Sequence, residues 1–336
     1  MKKIMAFLSA LLITTVAFGS EITGAGATFP YPIYAKWAEA YKKETGVSLN
    51  YQSIGSSGGI RQINAKTVVF GASDAPVTGD NLDKLGQVQF PAIIGGTVPV
   101  INLEGFKPGE LRITGTVLAD VYLGNITKWN DPKLVQLNPG KNLPNEAITV
   151  IHRADGSGTT FNFTDYLATV NKEWNDKVGK GAAIKWPAAS SVGGKGNEGV
   201  AGLVKQTEGA VGYLELIYAA SNKLARASVK NKAGTFAMPS TSTVTAAAAA
   251  SLKSIPEDFR VSITNADGKD SYPLSSFTYL LVPSKLGKER GKEVLDLLNW
   301  VISPSAQKMA GLLEYAPLPS GLVSKVKAKV GKITLE

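Results

Sequence analysis

Cysteine is absent from the 336 residues, and histidine occurs once, as His152. Without cysteine there are no disulfides, so the fold must stand on its apolar core, which a chain of this length can build. A zinc site of the Cys/His kind is excluded, and any histidine-assisted nucleophile would have to use His152 alone. There is also no cysteine to carry a lipid anchor. Long apolar runs are missing beyond the first segment, so no later stretch spans a bilayer. Lysines and arginines are spread along the chain, with the densest tract at Lys325–Lys332, and no nucleic-acid motif accompanies them. The acidic cluster Asp267–Asp270 lacks the spacing of a calcium loop and reads as a solvated turn.

What is present describes a secreted globular protein. Hydrophobic residues make up 44% and charged residues 19%, which suits two domains with a core each. Lys2 and Lys3 precede the apolar run Ile4–Phe18, and Ala17-Phe18-Gly19 supplies small residues at −3 and −1. Residues 1–19 therefore read as a signal peptide cut before Ser20. Its loss takes the formal charge from +9 to +7, a moderate field that draws in anions. An exported chain with no lipid anchor stays with its cell only inside an outer membrane, so the expected location is the periplasm.

Apolar spacing alternates between strand and helix periods. Ile33/Tyr34, Trp37/Ala38 and Tyr41 predict a helix with Pro32 in its first turn. Val47, Leu49 and Tyr51 predict a strand, Ile60–Lys66 a helix and Val68–Phe70 a short buried strand. The alternation recurs at Ile148–Ile151 followed by Phe161–Val170, and at Gly199–Gln206 followed by Ala210–Leu216. Phe277–Val282 predicts a buried strand, and Val294, Leu297, Leu298, Val301 and Ile302 an amphipathic helix. Ala246–Ala250 reads as plain helix. The class is α/β, with ligand loops expected at the carboxyl ends of strands. Phe90–Gly96 and Asp267–Pro273 read as hinge crossings.

Three stretches place Gly, Ser and Thr where a strand gives way to a helix: Thr23–Pro30, Ile54–Gly59 and His152–Thr160. A helix start offers unpaired N–H groups and partial positive charge, so each can seat an anion. The third adds Arg153, whose planar guanidinium can grip two oxygens. Together they point to one small tetrahedral anion. His152 precedes Arg153 on a strand and should face away from it, which argues against histidine catalysis. GAGATF lacks the third glycine of a dinucleotide fingerprint, and GGKGNEG (Gly193–Gly199) has Gly196 where a P-loop needs Ser or Thr. The latter reads as a flexible surface turn before a helix. Asp74, in GASDAP, is either a turn residue or an acceptor for the proton of a protonated anion such as hydrogen phosphate. A carboxylate in that role repels a fully deprotonated anion such as sulfate. Asp155 reads as a brace for Arg153.

TGAGATFP, YAKWAEAY, IGSSGG, FGASDAP, RADGSGT and KGNEG…GAVGY occur in the same order as in the periplasmic phosphate-binding proteins of bacterial high-affinity phosphate ABC transporters. The chain resembles that family over nearly its whole mature length, least in Asn222–Asn265, where it reads as shorter. The resemblance implies a type II periplasmic-binding-protein fold, with two α/β lobes and the anion buried in the cleft between them. Lobe I would comprise residues 20–93 plus 273–336, and lobe II residues 94–272. It further implies phosphate contacts from Thr28, Phe29 (through its N–H), Ser56, Asp74, Arg153, Ser157, Gly158 and Thr159, with Asp155 behind Arg153. The family usually reads VDFGASDAP, so Val69 replaces an acidic residue, though no expected ligand is lost. The implied function is capture of inorganic phosphate by a monomer and its delivery to an inner-membrane ABC permease with its ATPase, without metal, cofactor or nucleic acid. The alternatives are a binder of another oxyanion, such as sulfate or molybdate, a phosphoester hydrolase, and a structural surface protein.

Overall fold

Strand–helix alternation begins at once in the computed structural model, which describes residues 20–336. The expected leader, residues 1–19, lies outside the described residues. β1 (Glu21–Gly26) runs parallel to β2 (Ser48–Ser53) and to β3 (Phe70–Ser73). α1 (Tyr31–Thr45) joins the first two and buries Ile33, Tyr34, Trp37 and Tyr41 along one stripe, with Pro32 in its first turn. It stops where Gly46 takes a φ of 79° and returns its N–H to the Lys42 carbonyl at 2.9 Å.

α2 (Ser56–Asn64) starts four residues before the expected Ile60, so Ser56–Gly59 form its first turn rather than a loop. Gly55, at φ 86°, turns the chain into it. A Cβ on Gly59 would lie 2.5 Å from the Ala25 carbonyl oxygen, so a glycine is what lets this helix seat on β1. Lys66, expected inside the helix, lies past its end at φ 57°. The strand expected at Val68–Phe70 begins only at Phe70, because that is where the ladder with β1 starts.

The remaining principal strands are β4 (Gln87–Ile101), β5 (Thr149–Arg153), β6 (Ser191–Gly194), β7 (Ala210–Glu215) and β8 (Ser275–Pro283). They extend one nine-stranded sheet in the order β2-β1-β3-β8-β4-β7-β5-β6, with Ala225–Arg226 also on β4. α3 (Gly158–Val170) follows β5, and α4 (Gly196–Gln206) follows β6. Thr241–Ser251 is a helix that contains the alanine run.

β4 belongs to both halves of this sheet. Its Gln87–Gly96 segment pairs antiparallel with β8, and its Thr97–Ile101 segment pairs antiparallel with β7. Phe90–Gly96, expected as a hinge crossing, is continuous strand that leads from one half of the sheet to the other. Pro91 is tolerated there because the register with β8 shifts between Thr278 and Tyr279. Asp267–Pro273 is irregular, as expected, and leads into β8 beside Thr97, whose N–H bonds the Leu274 carbonyl at 2.9 Å.

Helices cover both faces of the first half. Leu297, Leu298 and Val301 of α5 (Lys288–Val301) pack near Tyr34, Trp37 and Phe70 on one side. Ala25, Ile63, Val68, Leu82 and Leu281 form a small separate core under α2. The architecture is α/β with two lobes, and the carboxyl ends of β1, β3 and β5 meet at the cleft between them.

Candidate functional site

Each expected site residue sits at a strand end or in the first turn of the following helix. Thr28 and Phe29 follow β1, Ser56 opens α2, Asp74 follows β3, Arg153 ends β5, and Ser157, Gly158 and Thr159 cap and open α3. The structure brings all eight together in the interior. Arg153, the most exposed of the polar ones, is only 4% exposed.

The two halves touch through these loops. The Gly158 N–H donates to Ser56 Oγ at 3.0 Å, and the Ser57 N–H donates to the Gly156 carbonyl at 3.1 Å. A Cβ on Gly55 would collide with the Asp155 carboxylate, so the approach of the halves also needs a glycine there.

Arg153 is held by Asp155 through two bonds, Nε to Oδ1 at 2.8 Å and Nη2 to Oδ2 at 2.5 Å. This fork leaves the other edge of the guanidinium, whose Nη1 donates to Thr159 Oγ1 at 3.4 Å. Burial pushes the Asp155 carboxyl up, but the hydrogen bonds and charge of Arg153, helped by the Gly196 N–H, bring it below its ordinary range. His152 lies on the opposite side of β5, its ring stacked on Trp186 with centroids 4.9 Å apart. As expected from strand alternation, it takes no part in the site.

The hydroxyls share one chemical feature. Thr28 Oγ1 accepts from the Asn197 N–H at 3.2 Å and from Asn197 Nδ2 at 2.7 Å. Ser56 Oγ accepts from the N–H groups of Gly158 and of Asp74, the latter at 3.2 Å. Ser157 Oγ accepts from the Thr160 N–H at 3.1 Å, as a helix cap, and Thr159 Oγ1 accepts from Arg153. A hydroxyl has two acceptor lone pairs and one proton. In Thr28 and Ser56 two N–H groups occupy both lone pairs, so the proton is what each has left to offer, while Ser157 and Thr159 accept one bond each and keep a lone pair beside the proton.

Asp74 is the exception, an acceptor among donors. It is 2% exposed, Thr278 Oγ1 donates to its Oδ1 at 2.5 Å, and Ser56 Oγ lies 3.5 Å from its Oδ2. Burial raises its pKa from 3.8 to about 7, against the lowering effects of Thr278, Arg153 and Ser56.

Three participants escaped the sequence reading. Asn197, in the expected surface turn Gly193–Gly199, is fully buried. Besides its bonds to Thr28, its Oδ1 accepts the Glu215 N–H at 3.1 Å. Gly193, Lys195 and Glu198 of that stretch are exposed, as expected of a surface turn, but Gly196 and Asn197 are buried where α4 begins, and the Asn197 N–H and Nδ2 both bond Thr28 in the other half. Tyr218 donates its hydroxyl to the Thr28 carbonyl at 2.6 Å. Thr278 puts a small polar side chain inside the expected buried strand Phe277–Val282, and that mismatch was the available clue.

A model described as a PBP superfamily domain matches residues 14–305. The phosphate-binding protein PstS of Pasteurella multocida is 48% identical over 328 residues, covering 96% of this chain and 94% of that protein. PstS of Haemophilus influenzae is also 48% identical, covering 98% of each. The chain belongs to the PstS family of phosphate-binding proteins. Among solved structures, a putative phosphate ABC transporter substrate-binding protein from Clostridium perfringens, with bound phosphate, superposes with a TM-score of 0.63 at 18% identity. It covers 89% of this chain and 100% of that one. A phosphate binding protein from Stenotrophomonas maltophilia gives 0.70 at 17% identity, covering 92% and 94%. At such identities these structures speak to the fold, which is the two-lobed type II periplasmic-binding-protein fold. Among the described residues no group of His, Cys, Asp or Glu could hold a metal ion, and no helix is long and apolar enough to cross a membrane.

Proposed function

We propose that this PstS-family chain captures inorganic phosphate between its lobes and carries it across the periplasm, as a monomer, to an inner-membrane ABC permease and its ATPase. The observation that carries the reading is the composition of the buried site: one guanidinium, several hydroxyls that each keep a proton to donate, and a single acceptor carboxylate. Thr28, Ser56, Arg153, Ser157 and Thr159 would donate through side chains, Phe29 through its backbone N–H, and Gly158 through an N–H that in this structure is shared with Ser56 Oγ. Asp74 would accept the proton that phosphate carries. Burying a charged oxyanion is costly unless each oxygen is satisfied, and this site has donors enough to do so.

Lobe I would comprise residues 20–93 and 273–336, and lobe II residues 94–272, with closure about β4 and the segment before β8. The switch of partners at Gly96/Thr97, from β8 to β7, supports that division. Phosphate would leave unchanged, since His152 faces away from the hydroxyls and Asp74 is read here as the acceptor of the phosphate proton rather than as a base. Calorimetric titration of the purified protein with phosphate, arsenate and sulfate tests the reading. Phosphate and arsenate, which share a proton near neutral pH, should bind, and sulfate should bind far more weakly. Equal affinity for all three, or turnover of a chromogenic phosphoester, would overturn it.

A further inference from the structure

We infer that Thr278 decides which oxygen of Asp74 is presented to the anion, and so acts as a positioning residue for discrimination between protonated and fully deprotonated oxyanions. This rests on the phosphate-binding reading above. The strand register produces the pairing. β8 runs antiparallel to β3 with Tyr279 opposite Ser73, so Thr278 comes opposite Asp74, the first residue past the strand. Thr278 is fully buried, and its hydroxyl donates to Oδ1 at 2.5 Å from a strand flanked by β3 and β4. That engages one carboxylate oxygen from behind and leaves Oδ2 on the side of Ser56 and the Gly158 N–H.

The same bond bears on the charge of Asp74. The groups coupled to it are Arg153 from β5, Tyr34 from α1, Tyr51 from β2, Glu215 from β7, and Tyr315. Only Arg153 is positive, and Glu215 is itself a carboxyl whose pKa is pushed up by burial. Burial opposes ionisation of Asp74, and the Thr278 hydrogen bond stands first among the effects that favour it, ahead of Arg153 and Ser56. Phosphate brings a proton to an ionised Asp74. Sulfate has none, and is admitted only while Asp74 keeps its own. The preference for phosphate over sulfate should therefore grow as pH rises through the Asp74 transition near 7. Thr278 holds that transition within the neutral range.

The test is competition calorimetry of the purified protein with phosphate and sulfate at constant ionic strength, from about pH 6 to about pH 9. In the wild type the phosphate-to-sulfate ratio should rise with pH. Thr278→Val keeps the shape and loses the donor. It should move the midpoint of that rise upward by about one pH unit, lowering the ratio about tenfold at a fixed pH above the wild-type midpoint. Thr278→Ser should restore the wild-type profile, and Thr278→Val added to Asp74→Asn should change nothing further. A Thr278→Val midpoint equal to the wild type would overturn the inference, as would a rise of equal size in the Asp74→Asn background. If the valine variant fails to fold, Thr278→Ala is read in the same way. A wild type that binds phosphate with a pH-independent ratio sinks the role of Thr278 and leaves phosphate binding standing. A wild type that binds neither anion sinks the phosphate reading itself.

Discussion

Adding a single carbon at Gly158 separates folding from lobe closure. Gly158 is the first residue of α3 and its φ is not in the left-handed region, so alanine suits its backbone. A Cβ there would nonetheless lie 2.5 Å from Ser56 Oγ, 2.6 Å from Asp74 Cβ and 2.7 Å from the Asp74 nitrogen, all in the opposite half. Two of those three atoms belong to Asp74 at the end of β3 and cannot swing aside as a side-chain tip can. The closed arrangement should then cost about 1–3 kcal/mol, the range for a methyl forced into a packed site. The free protein, if its lobes part, would feel no clash and would gain about 0.4–1 kcal/mol from the lost chain entropy of glycine. Gly158→Ala should thus lower phosphate affinity about tenfold to a hundredfold by calorimetry, with an apo melting temperature equal to or slightly above the wild type. Gly202→Ala is the control. It lies in α4 with nothing beyond the helix's own backbone within 4 Å of the added Cβ, so phosphate affinity should stay at the wild-type value. Wild-type phosphate affinity in Gly158→Ala would show that these loops are not in contact in the bound state.

Four further outcomes are expected. Arg153→Ala should weaken phosphate binding by about 2–5 kcal/mol, partly because Asp155 loses both of its bonds to the guanidinium, and wild-type affinity by calorimetry would remove Arg153 from the site. Asp74→Asn should keep much of the phosphate affinity through its amide oxygen while raising sulfate binding relative to phosphate, since the repelling charge is gone. An unchanged ratio in competition titrations would make Asp74 a turn residue. The same variant should alter the pH dependence of apo stability. The folded carboxyl keeps its proton to about 7 whereas the unfolded one releases it near 3.8, so the folded state binds more protons between these values and its stability falls as pH rises through that window. Denaturant titrations of Asp74→Asn should lack this share of the fall. Finally, phosphate at about a hundred times its dissociation constant should stabilise the fold by about 2.7 kcal/mol and shrink the radius of gyration in small-angle scattering, and an unchanged scattering profile at saturation would argue for a rigid site.

Much of the site was legible because its signals are local. A glycine- and hydroxyl-rich turn between a strand and a helix announces itself within eight residues, and Arg153, Ser157 and Thr159 lie inside one such turn. What was not legible depends on partners far along the chain. Pro91, Gly95 and Gly96 read as a hinge crossing rather than as strand because each is a poor strand residue alone. The strand continues through them because β8 shifts register opposite Pro91, and because Gly95 lies where Phe29 and Glu215 leave no room for a side chain. The start of α2 was placed too late for a related reason: its glycines weaken a helix by propensity, yet Gly59 is what allows the helix to seat on β1.

Asn197 and Thr278 take this further: the turn expected around Asn197 is the first turn of α4, Thr278 lies in a strand as expected, and in neither case does the local sequence disclose the role. A glycine-rich turn before a helix is ordinarily solvated, and a threonine in an apolar strand is ordinarily a well-tolerated β-former. What changes their meaning is complete burial, since a buried amide or hydroxyl must find partners. Asn197 finds Thr28, 169 positions away, and Thr278 finds Asp74, 204 positions away. Both partners are residues the sequence had already marked. A buried polar side chain bonded to a marked residue is therefore the pattern by which the supporting layer of this site is found. It also orders the experiments: substitutions at Asn197 and Thr278 test how the anion-contacting groups are aimed, a question that substituting those groups themselves cannot answer.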